Sequence, residues 1–256
     1  MSYNNIFDVH AHYDDEKFDE DREELLSSLP SMGVKYIVNA SVDLDTAKKA
    51  IDFSEKYPFM YAAVGIHPEN MEELPANYLN ILGDLYEKNE KVVAIGEIGL
   101  DYYWDIPKEP QLKVFEDQLK LAIELNAPVV IHDREAHADT MRILKKYTPE
   151  KILLHCYSGS AEMLKEVLKL GAFISMGGVV TFKNARVPVE VCEAVPVEKL
   201  MLETDCPYLS PVPFRGKRNS SEKIAFTAEK IAGIKGMDVQ SLIDATTRNA
   251  CGFFGI

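Results

Sequence analysis

Two histidines near the start of the chain have the type and spacing that suggest metal chemistry. His10 and His12 come directly after the apolar run at residues 6–9. In a strand, side chains two positions apart point to the same side, so both imidazoles face one way. Buried rings need polar partners, whereas a metal ion takes converging ring nitrogens as ligands. As a lone signal the pair is weak, because a surface strand end that happens to carry two histidines would have the same pattern.

Other residues with metal-binding side chains also follow apolar runs. Five of the six histidines and two carboxylates come at or just after such runs: His10, His12, His67, His132, His155, Glu97 and Asp205. Glu97 stands between Gly96 and Gly99, which would let another group approach closely. His67 could instead have a purely structural role, in which it orders its own Gly-Ile-His-Pro turn. His137 falls inside a helix predicted over residues 134–147, and we expect it to be solvated.

Without His67, four imidazoles, one glutamate and one aspartate remain, which are too many ligands for one tetrahedral ion and suit two divalent ions that share a carboxylate. We predict Glu97 as the bridge, because each of its oxygens can bind one ion. The remaining ligands are divided as His10, His12 and Asp205 for one ion, and His132 and His155 for the other. Open positions for water and substrate then mark a catalytic site. Imidazole-rich ligation suits Zn²⁺, Mn²⁺, Co²⁺ or Ni²⁺ better than Mg²⁺.

A fold that gathers strand ends is needed to bring these residues together. Eight apolar runs alternate with stretches of helical periodicity, at residues 6–9, 36–38, 60–64, 92–95, 129–131, 152–154, 173–176 and 200–202. In 256 residues this rhythm predicts an α/β fold, a TIM (β/α)₈ barrel with one domain over residues 1–256. A doubly wound open sheet is the alternative, but it would spread the chemical residues along one edge.

Several helices between these strands can be predicted from periodicity and caps. Residues 111–125 carry an apolar stripe of Leu112, Phe115, Leu119, Ala122 and Ile123. Ser160 and Asp238 are typical N-cap residues, and Gly171 lies where a helix-ending glycine is expected. These helices would serve as the crossovers that parallel strands require.

Composition limits the class of protein. The formal net charge of −13 argues against a protein that coats nucleic acid, although local binding of a few phosphates is compatible with it. No apolar run approaches the roughly 20 residues of a membrane span, and the N-terminus lacks a signal-peptide pattern. The four cysteines form no C-x-x-C pair. We therefore expect a cytoplasmic protein with no membrane and no obligate protein partner.

Six motifs together resemble the TatD family of metal-dependent deoxyribonucleases, within the wider amidohydrolase-like barrels. They begin at Asp8, Gly65, Gly96, Pro128, His155 and Glu203, and read DVHAH, GIHP, GEIGLDYY, PVVIH, HCYSG and ETDCPYL. The resemblance covers nearly the whole chain. It implies a TIM barrel, a two-metal centre on the residues above, and hydrolysis of DNA phosphodiester bonds, exonucleolytic on single strands. Related barrels that hydrolyse amides often bridge their metals with a carbamylated lysine, whereas this chain offers Glu97.

One segment departs from the family pattern. Residues 212–219 are similar to the family's basic loop after the eighth strand, which usually continues Glu-Pro. Here Ser220 and Ser221 follow instead. We expect the metal site to be untouched by this change.

The residues can be given roles in a two-metal hydrolysis. Asp205, Glu97 and His67 are the predicted catalytic residues, with Asp205 accepting a proton from water and with His67 or water protonating the leaving oxygen. The predicted substrate-binding residues are His67, Arg134, Arg215, Lys217 and Arg218. Arg215, Lys217 and Arg218 could instead lie in a solvated loop that has no role in binding. Tyr102, Tyr103 and Trp104 could stack bases or simply pack.

Two other functions remain open from the sequence. The same pair of metals would also hydrolyse a non-DNA ester, an amide or a small phosphodiester. A metal-binding protein without catalysis is the alternative from a different class, although such structural sites are usually closed by four protein ligands.

Overall fold

The computed structural model describes residues 3–71 and 74–256. Eight strands form one parallel sheet in the order β1 to β8. They are β1 (Ile6–Ala11), β2 (Val34–Ala40), β3 (Met60–Val64), β4 (Val92–Asp101), β5 (Val129–Arg134), β6 (Ile152–Leu154), β7 (Phe173–Met176) and β8 (Leu200–Leu202). A helix lies in every connection between consecutive strands, because parallel neighbours cannot be joined by a tight turn. This is the strand order predicted from the sequence.

The helices follow the strands in regular alternation. They are α1 (Arg22–Ser28), α2 (Leu44–Lys56), α3 (Tyr78–Lys88), α4 (Lys108–Glu124), α5 (His137–Tyr147), α6 (Ala161–Lys169), α7 (Arg186–Ala194), α8 (Ile224–Lys235) and α9 (Val239–Phe254). Short 3₁₀ segments cover Glu16–Phe18, Leu29–Met32, Gly178–Thr181, Val197–Lys199 and Ser221–Lys223. Within the described ranges, every helix is too short or too polar to cross a bilayer.

Several strands extend further than their apolar runs. Strand β1 continues to Ala11 and β4 to Asp101, so His10 and Glu97 lie inside strands rather than after them. Strand β5 ends at Arg134, and the helix predicted from residue 134 begins only at His137. The prediction was wrong there because β4 and β5 keep pairing through Asp101 and Arg134, which holds those residues extended.

The described chain divides into two compact units. Within the described residues, the first unit holds residues 3–39, Cys156–Glu166 and Phe173–Ile256, and the second holds residues 40–71 and 74–155 with Val167–Ala172. In the first unit, the predicted caps are confirmed: the Met163 N–H donates to Ser160 Oγ over 3.2 Å, and the Ser241 N–H donates to Asp238 over 2.9 Å. The single domain over residues 1–256 stays a prediction.

Helix α4 of the second unit packs with a more polar face than its apolar stripe predicts. Phe115, Leu119 and Ala122 are fully buried as expected, whereas Ile123 is exposed. The buried face is completed by Gln111 and Gln118, both without solvent exposure. Glutamine is tolerated there because each side chain binds backbone groups, so this helix positions loops as well as filling the core.

Candidate metal centre

His10, His12 and Asp205 form one cluster of donor atoms in the first unit. The two Nε2 atoms of His10 and His12 lie 3.1 Å apart, which confirms that both rings point to the same side of β1. Asp205 Oδ1 lies 3.4 Å from His12 Nε2 and 3.9 Å from His10 Nε2. Three donor atoms converging over such short distances suit one divalent cation.

Asp205 is held in this cluster by the backbone. Its N–H donates to the His10 carbonyl over 3.0 Å, and its own carbonyl accepts the Tyr208 N–H over 2.9 Å. Its φ of 54° lies in the left-handed region, which is unusual for a residue other than glycine. The surrounding hydrogen bonds keep Asp205 in this conformation, as is common for residues at functional sites.

The sequence analysis gave no role to Asp8, a buried carboxylate two residues before His10. Asp8 is fully buried, and its Oδ2 accepts hydrogen bonds from the Thr204 hydroxyl over 2.6 Å and from the Ser221 hydroxyl over 2.7 Å. The Thr204 N–H donates to Oδ1 over 2.9 Å. Burial raises the pKa of Asp8 to about 7, against the lowering effect of these hydrogen bonds. Asp8 thus links β1, which carries His10, to the segment before Asp205.

Ser221, one of the two residues that depart from the family pattern, is part of this network. Besides its bond to Asp8, its backbone N–H donates to the Tyr13 hydroxyl oxygen over 3.0 Å. Ser220 turns elsewhere, and its hydroxyl contacts Glu222 and Lys223. The departure therefore reaches the strand that carries His10 and directly precedes His12.

Glu97 is the focus of a second cluster, in the second unit. Its Oε1 lies 2.8 Å from His132 Nδ1, 2.8 Å from His155 Nε2 and 3.4 Å from His67 Nε2. The carboxylate is almost completely buried. Ring nitrogens gathered around one buried carboxylate oxygen are the donor set of an imidazole-rich metal site, so the residues fit a divalent cation.

Asp101 orients His132 in this cluster. Asp101 Oδ2 lies 2.9 Å from His132 Nε2, so the ring donates there and turns Nδ1 toward Glu97. Burial lowers the pKa of His132, but the hydrogen bonds with Asp101 and Glu97 outweigh it and raise this pKa to about 9. A carboxylate behind a ligating histidine is a common way to set the tautomer. Sequence reasoning missed Asp101, although its place at the end of GEIGLD was the available signal.

His67 uses one ring nitrogen locally and presents the other to Glu97. Its Nδ1 accepts the Glu69 N–H over 3.2 Å, so the turn-ordering role is real. A neutral ring that accepts at Nδ1 carries its proton on Nε2. Burial lowers the pKa of His67, which favours this neutral form at pH 7.

The glycines around Glu97 accommodate the neighbouring strand β5. A Cβ on Gly96 would lie 2.7 Å from the Val130 Cβ, and one on Gly99 would lie 1.9 Å from the His132 carbonyl oxygen. Gly99 also has a φ of +151°, which side-chain-bearing residues rarely adopt. The groups that approach closely are therefore Val130 at Gly96 and the His132 backbone at Gly99, and the second of these brings His132 beside Glu97.

The predicted substrate-binding arginines and lysine of the basic loop differ in their surroundings. Arg218 donates two hydrogen bonds to the Asp21 carboxylate, over 2.7 and 2.6 Å. Arg215 lies with its guanidinium carbon 3.6 Å from the Phe182 ring centre and is exposed, as is Lys217. These residues line a pocket of about 700 Å³ in the first unit, together with Lys17 and Tyr208.

Arg134 and His137 lie beyond the second cluster. The Arg134 guanidinium is 4.0 Å from Asp101 Oδ2 and lies over the Tyr103 ring at 3.8 Å. His137 pairs with Asp133 over 2.8 Å, and this hydrogen bond raises the pKa of His137. Among the described residues, the three-donor groups do not include His137; its side chain is 37% exposed and bound to Asp133, so it is only partly solvated.

Comparison with known proteins gives consistent matches along the chain. A family model described as TatD related DNase matches residues 7–255. The uncharacterized metal-dependent hydrolase YabD of Bacillus subtilis (strain 168) is 43% identical, covering 98% of this chain and 99% of its own length. The counterpart YcfH of Escherichia coli (strain K12) is 35% identical, covering 98% and 96%.

Solved structures give the same picture. The crystal structure of YJJV, a TatD homologue from Escherichia coli K12, matches with a TM-score of 0.93 at 30% identity, over 98% of both chains. A hydrolase of the TatD family from Entamoeba histolytica matches with a TM-score of 0.89 at 26% identity, over 99% of both chains. Together with the strand order, these matches confirm the predicted TIM-barrel fold.

Proposed function

Because this chain belongs to the TatD family and is a metal-dependent hydrolase, we propose that it cleaves DNA phosphodiester bonds, exonucleolytically on single strands or ends. The observation that carries the proposal is the convergence of three imidazole nitrogens within 3.4 Å of Glu97 Oε1. The description of the matching family, TatD related DNase, supports DNA as the substrate class.

We assign one divalent cation to each cluster. The proposed ligands are His10, His12 and Asp205 in the first unit, and Glu97, His132 and His155 in the second. Bound cations supply Lewis acidity, which makes water more acidic and neutralises charge that develops on phosphoryl oxygens. The bridging role of Glu97 stays a prediction, as do the number and identity of the ions.

Asp205 is suited to accept a proton from the attacking water. Its side chain keeps about a fifth of its surface open, 19%, whereas that of His10 is fully buried. A carboxylate with one oxygen directed at the histidines and some contact with solvent can both hold a cation and receive a proton. The left-handed backbone of Asp205 aims the side chain in this direction.

His67 is suited to donate to an oxygen of the substrate. Because its Nδ1 accepts the Glu69 N–H, the Nε2–H of the neutral ring is directed toward Glu97. A phosphoryl or leaving oxygen beside Glu97 would receive this hydrogen bond. Because burial lowers the pKa of His67 and keeps the ring neutral at pH 7, its contribution to the leaving oxygen would be this hydrogen bond, and water would deliver the proton.

The cationic groups proposed to bind phosphates are Arg134, Arg215 and Lys217, with Arg218 retained as the residue that holds the loop. All of the first three are exposed, whereas Arg218 is engaged with Asp21. In a protein of net charge −13, such local groups are needed to offset repulsion of a polyanion. We further propose a cytoplasmic location, which rests on the cysteine pattern of the sequence.

The test measures kcat/KM for three substrates. The protein is purified without chelator, and its metal content is analysed. Single-stranded DNA should be turned over with a much higher kcat/KM than a small phosphodiester or an acyl ester. Blocking each DNA end in turn should abolish product release from one end only. A preference for the acyl ester would indicate that the same metal centre acts on a different substrate class. It would refute the assignment as a deoxyribonuclease.

A further inference from the structure

We propose that Tyr103, Trp104 and Arg134 form a subsite for an unpaired nucleobase next to the metal ligands of the second unit. The inference rests on the proposed function, because it names how a DNA single strand would be held there. It concerns side chains that contact neither Glu97 nor a ring nitrogen of the cluster.

These three side chains make a compact and open cluster. The Tyr103 and Trp104 rings pack edge to face with centres 4.9 Å apart, and the Arg134 guanidinium lies 3.8 Å from the Tyr103 ring centre. Tyr103 is 51% exposed, Trp104 is 49% exposed, and the Arg134 side chain is 44% exposed. Half-open aromatic rings beside a cation suit a ligand that is both planar and anionic, such as a nucleotide.

The preceding aromatic residue shows what a structural role looks like in the same loop. The Tyr102 hydroxyl donates to Asp139 over 2.8 Å, and Lys108 covers its ring at 3.9 Å. Tyr102 is correspondingly less exposed. Tyr103 and Trp104 are instead, among the residues that the structure describes, the adjacent pair of large exposed aromatic side chains.

The loop that carries the two rings is held at both ends. Gln111 accepts the Asp101 N–H over 2.9 Å and donates to the carbonyls of Asp101 and Ile106, over 2.9 and 3.2 Å. The Ile106 N–H donates to the Trp104 carbonyl over 2.9 Å. A fixed loop loses little conformational entropy when a base stacks on it, so the exposed rings can bind with useful affinity.

The Asp101 carboxylate fixes the position of this loop relative to the metal ligands. Asp101 Oδ1 accepts the Tyr103 N–H over 2.9 Å, while Oδ2 orients His132 over 2.9 Å. Arg134 Nη1 lies 4.0 Å from Oδ2, and the Arg134 carbonyl accepts the Tyr102 N–H over 2.9 Å. The rings therefore stand at a set position relative to His132. A base stacked on them would place its own phosphate near the second cluster.

The occupant must be an unpaired base. A base inside a duplex already has both faces stacked on its neighbours, whereas an unpaired base offers a free face to Tyr103 or Trp104. Arg134 would contact the adjacent phosphate, for which its planar guanidinium is well shaped. The subsite thereby gives the proposed enzyme a preference for single strands and frayed ends.

Trp104 is the only tryptophan in the chain, so its fluorescence reports directly on this subsite. The probes are a short oligothymidylate and an oligomer of abasic deoxyribose phosphate with the same number of phosphates. Both are added to the intact protein in a buffer that contains Ca²⁺. Binding is followed in parallel by the fluorescence anisotropy of a labelled copy of each oligomer. We expect oligothymidylate to quench Trp104 emission strongly and the abasic oligomer to leave it nearly unchanged.

Kinetics provide a second measurement that does not depend on fluorescence. Tyr103→Leu should raise KM for oligothymidylate by about tenfold, as expected for loss of one stacked base, and leave KM for the abasic oligomer unchanged. Ile123→Ala, which removes an exposed apolar group from α4, is the matched control and should change neither.

The outcomes separate this inference from the proposed function. Hydrolysis of oligothymidylate with equal Trp104 emission for both bound oligomers would overturn the subsite and leave the deoxyribonuclease assignment standing. Failure to bind or hydrolyse either oligomer, with turnover of a small phosphodiester retained, would refute DNA as the substrate and the subsite with it.

Discussion

Gln118 of α4 binds both polar groups of the Ile66 backbone. The Ile66 N–H donates to Gln118 Oε1 over 2.8 Å, and Gln118 Nε2 donates to the Ile66 carbonyl over 3.0 Å. Ile66 directly precedes His67, and Gln118 has no solvent exposure. The pair therefore anchors the loop that presents His67, without any contact to the candidate ligands.

We expect Gln118→Leu to destabilise the protein by about 3 kcal/mol, because two buried backbone groups lose their partners. Urea unfolding of the metal-free protein measures this as a lower midpoint at unchanged slope. Ile123→Ala, on the exposed side of the same helix, should change stability by less than about 0.5 kcal/mol. A stability close to wild type for Gln118→Leu would show that water replaces the amide.

Ser221→Ala should destabilise the metal-free protein in a pH-dependent manner. Because burial raises the pKa of Asp8 to about 7, stability associated with Asp8 is greatest below its unfolded pKa and is lost as pH rises through about 7. Removing a hydroxyl donor raises this pKa further, so the deficit of the variant should grow between pH 5 and pH 8, to about 1–3 kcal/mol.

Ser220→Ala is the matched control for this experiment. Its hydroxyl contacts Glu222 and Lys223 rather than Asp8. Because the Ser220 hydroxyl is not part of the Asp8 network, any loss of stability should be constant across that window. A constant deficit for Ser221→Ala as well would contradict the role given to Asp8.

Replacing Glu97 should remove metal from the protein more completely than replacing any single histidine. If Glu97 bridges two ions, Glu97→Ala should reduce bound metal toward zero, whereas His132→Ala should mainly empty one position. His137→Ala should retain full metal content and activity, because His137 pairs with Asp133. Elemental analysis after gel filtration measures this, and two ions per chain in Glu97→Ala would rule out the bridge.

Metal binding should release a proton near neutral pH. Hydrogen bonds with Asp101 and Glu97 raise the pKa of metal-free His132 to about 9, so the ring is protonated at pH 7.5 and must become neutral to ligate. Calorimetric titration in buffers of different ionisation enthalpy should show release of about one proton, and affinity should fall as pH falls.

Asp101→Asn provides the comparison for this measurement. The change removes the carboxylate hydrogen bond that raises the pKa of His132, so fewer protons should be released on binding. Heats of binding that do not vary with the buffer in the wild-type protein would be incompatible with a protonated His132.

Arg215 and Arg218 should differ when each is replaced by alanine. Arg215→Ala should raise KM for an oligonucleotide and reduce the slope of log KM against log salt by about 0.7, as expected for one lost phosphate contact on a single strand. KM for a small phosphodiester should not change. Kinetics at several salt concentrations give both values.

Arg218→Ala should instead lower the thermal midpoint modestly, because it removes the paired hydrogen bonds to Asp21 on a partly exposed surface. The two substrates should then be affected alike. A selective rise in KM for the oligonucleotide in Arg218→Ala would return this residue to the phosphate-binding set.

Local pattern was enough to determine the strands, most helices and the direction of the first two histidines. β-Branched runs and helical periodicity act over a few residues, so they can be read without knowing any distant contact. Strand alternation in the same way predicts that His10 and His12 share a side, and the structure shows their ring nitrogens 3.1 Å apart. The motif order was also sufficient to indicate the family.

Only the tertiary structure decided which atom of each residue is available. His132 turns Nδ1 toward Glu97 because Asp101, from another strand, binds Nε2. Arg218 is engaged by Asp21, which is distant in the chain, whereas Arg215 remains exposed. Such choices depend on partners brought together by folding. Residue type and spacing alone do not identify those partners, so Asp8 and the two glutamines of α4 could not be ranked from the sequence, and Asp101 was offered only as the end of the GEIGLD motif.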